Sequence, residues 1–161
     1  MNYTLLLKNI TINKLENVIP MNLALSESEG VARLYISRSS LGHTIKEKRV
    51  ELSREEFSTH IKYVEVKTKT LDQVVDELEL SKVNFIKIDV EGAELDVLKG
   101  ATKTLKENNV FLAIAAHHTP ESVREVSRYL QEKGFRVFSL FLPPFQYVYA
   151  FKPNCCHRHR V

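Results

Sequence analysis

The stretch Phe85-Ile86-Lys87-Ile88-Asp89-Val90-Glu91-Gly92-Ala93-Glu94-Leu95-Asp96-Val97-Leu98-Lys99-Gly100-Ala101 decides the fold. It opens inside a run from Val83 to Val90 whose β-branched density is that of a buried strand. Glu91 to Lys99 follows at once and reads as a helix, with Leu95 and Leu98 facing inward and Gly100 as its stop. A buried strand turning tightly into a helix is the repeating unit of an α/β sheet.

The unit recurs downstream. Val110 to Ala116 is a second nearly continuous apolar strand, and Thr119-Pro120 supplies an N-cap with proline at the first helical position. Val123, Val126 and Leu130 then mark one helical face, which ends at Gly134. Phe135 to Leu142 and Gln146 to Phe151, on either side of Pro143-Pro144, read as two strands joined by a short connection and hence antiparallel. Upstream, Ile61 to Thr68 reads as a strand, and Thr70-Leu71-Asp72-Gln73 forms a capping box ahead of a helix whose inner face carries Leu71, Val74, Val75 and Leu78. The chain opens on a helix, with Tyr3, Leu6, Leu7 and Ile10 at helical spacing between Asn2 as cap and Asn13 as stop. Val18 to Leu25 reads as a strand, and Val31 to Ile36 as a hairpin arm after the Glu29-Gly30 turn. Ser37 to Thr59 has no clear period and is expected to be a long exposed loop or a short surface helix.

Composition excludes several classes. At 161 residues, with 43% hydrophobic and 27% charged residues, the chain is one soluble domain's worth of protein and not a disordered tail. The net charge of +3 is spread along the sequence, so nucleic acid is not an expected partner. No apolar run exceeds Val110 to Ala116, too short to cross a bilayer, and no basic segment precedes an apolar one at the N-terminus. A cytoplasmic protein is expected, and adjacent Cys155 and Cys156, which do not suit disulfide geometry with each other, agree with a reducing compartment. Residues 1–152 are expected to form the domain, and 153–161 a tail; its Cys155-Cys156-His157-Arg158-His159 run lacks the two-residue spacing of zinc ligands.

In open α/β sheets ligands bind beyond the carboxyl ends of the strands. Two such places carry chemistry: Asp89-Val90-Glu91-Gly92-Ala93-Glu94, with three carboxylates near one strand tip, and Ala115-Ala116-His117-His118-Thr119-Pro120, with two imidazoles at the next. Together they are suited to proton transfer or to a metal. Bland readings compete: Glu91 and Glu94 complement a helix N-terminus, and a loop histidine needs no ligand. Asp89 is harder to dismiss, because a carboxylate ending an apolar strand must find partners.

The Phe85 to Ala101 stretch closely resembles the signature of the FkbM-family methyltransferases. Val66-Lys67-Thr68-Lys69-Thr70-Leu71-Asp72, Asn22-Leu23-Ala24-Leu25-Ser26 with Gly30 after it, and the closing Gly134-Phe135-Arg136-Val137 and Tyr147-Val148-Tyr149-Ala150 resemble that family in the same order. The resemblance implies a class I methyltransferase fold, a Rossmann-like α/β sheet with helices on both faces and a C-terminal antiparallel hairpin. It implies methyl transfer from S-adenosylmethionine, usually to an oxygen of a small molecule or a sugar. By the same resemblance Asp89, Glu91 and Gly92 border the cofactor and substrate cleft, and Ala24, Leu25 and Ser26 lie near the adenine. His117 or His118 is expected to accept the hydroxyl proton, giving Asp89, His117 and His118 as catalytic residues with no metal assigned.

The sequence departs from that pattern in one respect. Its five glycines, Gly30, Gly42, Gly92, Gly100 and Gly134, include no closely spaced pair, so the first two strands and the glycine-rich loop of such a fold are expected to be missing. The expected consequence is a gap beside the Asp89 strand. It would be met by instability, by a second protein chain or a second copy completing the sheet, or by re-pairing of Val18 to Leu25 against Phe85 to Asp89. Two other functions fit the residues: a non-catalytic, partner-binding module keeping only the C-terminal part of the fold, and a metal hydrolase built on Asp89, Glu91, His117 and His118, which has no recognised ligand spacing.

Overall fold

A computed structural model describes residues 2–37, 42–52, 62–118, 121–143 and 145–153. The expected Thr119-Pro120 cap, Pro144 and the Cys/His tail fall outside these residues. Among the described residues seven strands form two sheets instead of one. In the first, β1 (Ala24–Leu25) and β2 (Gly30–Tyr35) flank β3 (Tyr63–Lys69), parallel and antiparallel to it respectively. In the second, β4 (Phe85–Ile88), β5 (Phe111–Ala115), β6 (Arg136–Leu142) and β7 (Phe145–Phe151) lie in the order β4-β5-β7-β6. β4 and β5 are parallel, and β7 runs antiparallel to both β5 and β6, so the closing hairpin forms as expected.

Val18 to Leu25 is a correction. Only Ala24 and Leu25 are strand, and they pair with Thr68 and Lys69 of β3, not with the Asp89 strand. The apolar residues before them, Val18 and Ile19, stay exposed and so have no packing to favour an extended ladder.

α3 (Leu71–Glu77) starts at the expected capping box: the Thr70 hydroxyl accepts from Gln73 N at 3.1 Å, and Gln73 Oε1 accepts from Thr70 N at 2.9 Å. Asp72 has a second task. Its carboxylate accepts from Lys103 N, Thr104 N and the Thr104 hydroxyl, all within 2.8 Å, and so caps α5 (Thr102–Glu107) from a neighbouring helix. Asp72→Ala is therefore expected to cost about 2 kcal/mol, as for loss of a good N-cap, measurable as a lowered urea midpoint with unchanged slope.

The core lies on one face of the second sheet. Leu112, Ile114, Val148 and Ala150 are fully buried there under Val97 and Leu98 of α4 (Glu94–Lys99) and Val126 and Leu130 of α6 (Ser122–Glu132). The opposite face carries a run of stacked rings: Phe85 on Phe111 at 6.0 Å, Phe111 on Phe151 at 6.4 Å, and Phe151 on Phe138 at 5.8 Å. Phe85 and Phe138 are more than half exposed. Helices on both faces are thus not what the described residues show: this sheet is covered on one side. α1 (Asn2–Ile12) forms where its spacing places it, yet buries none of its residues.

Residues 42–52, expected as part of a long exposed loop or a short surface helix, contain a short helix but are not wholly at the surface. They include α2 (Glu47–Leu52), a bridge between Tyr35 and Thr44, and two residues buried to 1% and 2% exposure, Thr44 and Val50. No helix among the described residues is long and apolar enough to cross a membrane.

Candidate active site

β4 stops at Ile88, one residue before Asp89, and α4 starts only at Glu94. The residues between are a turn, not the start of the expected helix, because Glu91 sits at φ 55° and Gly92 at φ 100°. A left-handed glutamate costs on the order of 1 kcal/mol. The turn is held from outside: the Thr44 hydroxyl donates to the Glu91 carbonyl at 2.7 Å, and Lys46 pairs with Asp96 at 2.8 Å. Glu94 reaches back under the turn, its Oε1 accepting from Gly92 N at 3.0 Å.

His118, just past the tip of β5, fills the space these carboxylates surround. Its side chain is 2% exposed, with Nδ1 3.1 Å from Glu91 Oε2 and Nε2 3.4 Å from Asp89 Oδ1 and 3.5 Å from Glu94 Oε1. His117 lies against it at 4.1 Å between ring centroids and is half-buried; its Nδ1 is buried without a hydrogen-bond partner among the described residues. Phe145 meets His117 edge-on at 5.1 Å. Parallel pairing of Lys87 with Ala113 and Ile88 with Ile114 brings the two strand tips side by side, so residues almost thirty positions apart in sequence share one site.

The carboxylates are pushed in opposite directions. Partial burial pulls Asp89 upward, but the Lys87 ammonium, bonded to its Oδ2 at 2.8 Å, and both histidines outweigh this and hold its pKa below the ordinary value. Burial of Glu94 raises its pKa, against the opposing hydrogen bond from Gly92 N–H. A half-exposed Asp89 with a lowered pKa stands in front of a buried Glu94 with a raised one, an arrangement of two unlike carboxylates.

Asp89, Glu91, Gly92, His117 and His118 are therefore gathered into one cluster. Ala24, Leu25 and Ser26 are not: they belong to the other sheet, and the Ser26 carbonyl closes on Gly100, at the opposite end of α4 from Glu94. Two contributors take roles that the sequence does not distinguish. Glu94 looks like an ordinary first-turn acid and is instead fully buried, while Thr44 lies in a stretch without periodicity and no sequence signal singles it out.

The titratable residues thus sit at the tips of two adjacent parallel strands, the place where open α/β sheets bind their ligands. The methyltransferase FkbM domain model matches residues 3–137, and the chain belongs to that family. It is similar to the hexuronic acid methyltransferase AglP of Haloferax volcanii, with 34% identity over 115 residues that cover 71% of this chain and 43% of AglP. Its fold is similar to the crystal structure of methyltransferase FkbM from Methylobacillus flagellatus KT, with a TM-score of 0.59 at 18% identity over 92% of this chain and 32% of that one. The chain thus spans less than half the length of either protein.

Membership of a methyltransferase family implies S-adenosylmethionine as methyl donor in general. The residues present fit that donor on one side. An ionised, half-exposed Asp89 complements a sulfonium cation. On the other side, the left-handed glycines Gly30, Gly92 and Gly134 are isolated from one another, so none forms a close-spaced cradle.

Proposed function

We propose that this chain forms the acceptor side of a methyltransferase site that transfers a methyl group to an oxygen of a small molecule or sugar. The observation that carries this reading is the His118 imidazole enclosed by Asp89, Glu91 and Glu94 at the strand tips of a chain belonging to the FkbM family. The name of AglP, a hexuronic acid methyltransferase, supports a sugar or sugar acid as acceptor. Asp89, Glu91 and Gly92 would border the donor, as would Ala24, Leu25 and Ser26 on the other sheet.

S-adenosylmethionine, when bound, supplies the electrophilic methyl group. The chain's own residues have to orient the acceptor hydroxyl and take its proton. Asp89 is the half-exposed member of the cluster and the one an acceptor meets first. His118 is locked behind it by the carboxylates and positions them. His117, whose Nδ1 has no hydrogen-bond partner among the described residues, is the group we assign as proton acceptor.

Calorimetric titration with S-adenosylmethionine and S-adenosylhomocysteine, followed by transfer of labelled methyl to uronic acids and neutral sugars, tests the reading. Saturable binding with transfer is the expected result. Absence of binding would leave the partner-binding module, which the exposed ring stack on the second sheet favours.

A further inference from the structure

Asp89, Glu91 and His118 each present one donor atom, and these three atoms lie within 4.8 Å of one another. An ion held by carboxylate and imidazole sits about 2.0–2.2 Å from each donor, so neighbouring donors stand roughly 3.0–3.5 Å apart. His118 Nε2 to Asp89 Oδ1 at 3.4 Å already has that spacing, while Glu91 Oε2 stands 3.1 Å from the other ring nitrogen, Nδ1. The longer of the two exceeds a good N–H···O hydrogen bond. We propose that Asp89, Glu91 and one ring nitrogen of His118 form a binding site for a divalent cation of the Mn²⁺ type.

Charge points the same way. Asp89, Glu91 and Glu94 converge on one imidazole that is 2% exposed, and Lys87 engages only the outer oxygen of Asp89. Asp89 and Glu91 offer a divalent ion two carboxylates beside that imidazole. The donor set selects the ion: two carboxylates and one imidazole, without thiolate, suit Mn²⁺ better than thiolate-seeking ions or the all-oxygen preference of Ca²⁺. His117 provides a further observation. Its buried Nδ1 has no hydrogen-bond partner among the described residues and belongs to a ring 4.1 Å from that of His118.

This inference rests on reading the cluster as the acceptor side of the site. The cation would lower the pKa of the acceptor hydroxyl. The proton passes to His117, and the oxygen's electron pair forms the new O–CH₃ bond as the sulfur–methyl bond of the donor breaks and its pair returns to sulfur.

The test is titration of the purified chain with Mn²⁺ alone, followed by the loss of the free-ion electron paramagnetic resonance signal and by calorimetry. The expected result is one saturable site, weakened at least tenfold by Asp89→Asn and by His118→Gln and unchanged by the remote Glu132→Gln. No saturable binding, or equal binding by wild type and the Asp89 and His118 variants, overturns it. If His118→Gln loses its circular dichroism spectrum, Asp89→Asn decides, since Asp89 is half exposed and outside the core. The titration contains neither methyl donor nor acceptor, so Mn²⁺ binding without transfer sinks the methyltransferase reading of this chain and spares the cation. Transfer by a protein that binds no Mn²⁺ does the reverse.

Discussion

Replacing both strand-tip histidines, His117→Ala with His118→Ala, is expected to lower kcat for methyl transfer by about 10²–10⁴-fold, the range for loss of a positioned general base. S-adenosylmethionine binding should change little, because the electrostatic match to the donor lies with Asp89. The single variants separate two roles. His117→Ala removes the half-buried ring whose Nδ1 has no hydrogen-bond partner among the described residues, and should reduce kcat with little change in KM. His118→Ala empties a space enclosed by three carboxylates, leaves them facing one another, and should raise KM as well. An active double variant would remove both histidines from the chemistry and leave Asp89 as the group to examine.

Gly100→Ala should destabilise the fold by about 3 kcal/mol, at the upper end of overpacking costs. The cause is not conformational, since Gly100 has an ordinary φ of −73°. A Cβ placed there would stand 2.1 Å from the Ser26 carbonyl oxygen and 3.2 Å from Thr70 Cβ. The first is backbone and cannot swing aside, so β1 or the end of α4 must move. The Thr70 cap of α3 would be disturbed with it. In urea the midpoint should fall by roughly 1.5 M, taking a slope of about 2 kcal/mol per M. Gly134→Ala is the control: φ is +82° and no atom lies within 4 Å, so only backbone strain of about 1 kcal/mol is expected. Equal effects at the two positions would show that β1 does not pack on the α4 terminus as described.

These two glycines show how far a single sequence reaches. Both sit at a helix end and read as the same stop signal, yet one is required by a left-handed turn and the other by a carbonyl approaching from residues more than seventy positions away. Local signals were legible wherever one element carries them whole: the Thr70–Gln73 capping box, the α6 face, the β6–β7 hairpin and the βα unit around Asp89. The division into two sheets was not, because pairing partners are chosen by which apolar faces meet, and Val18 to Leu25 meets nothing that would extend it.

The candidate site divides in the same way. From residue types and strand ends alone, Asp89, Glu91, His117 and His118 stand out, since polar groups ending apolar strands must be satisfied at the tips. That they form one cluster depends on β4 and β5 being parallel neighbours in register. Glu94 as its buried floor and Thr44 as the brace of the Glu91 turn were decided by tertiary structure only. A first-turn glutamate becomes a buried acid when the turn before it folds back over its carboxylate, and a loop threonine becomes structural when its hydroxyl reaches a carbonyl 47 residues away. Sequence periodicity records which face of an element is apolar; contacts between elements from distant parts of the chain leave no such local trace.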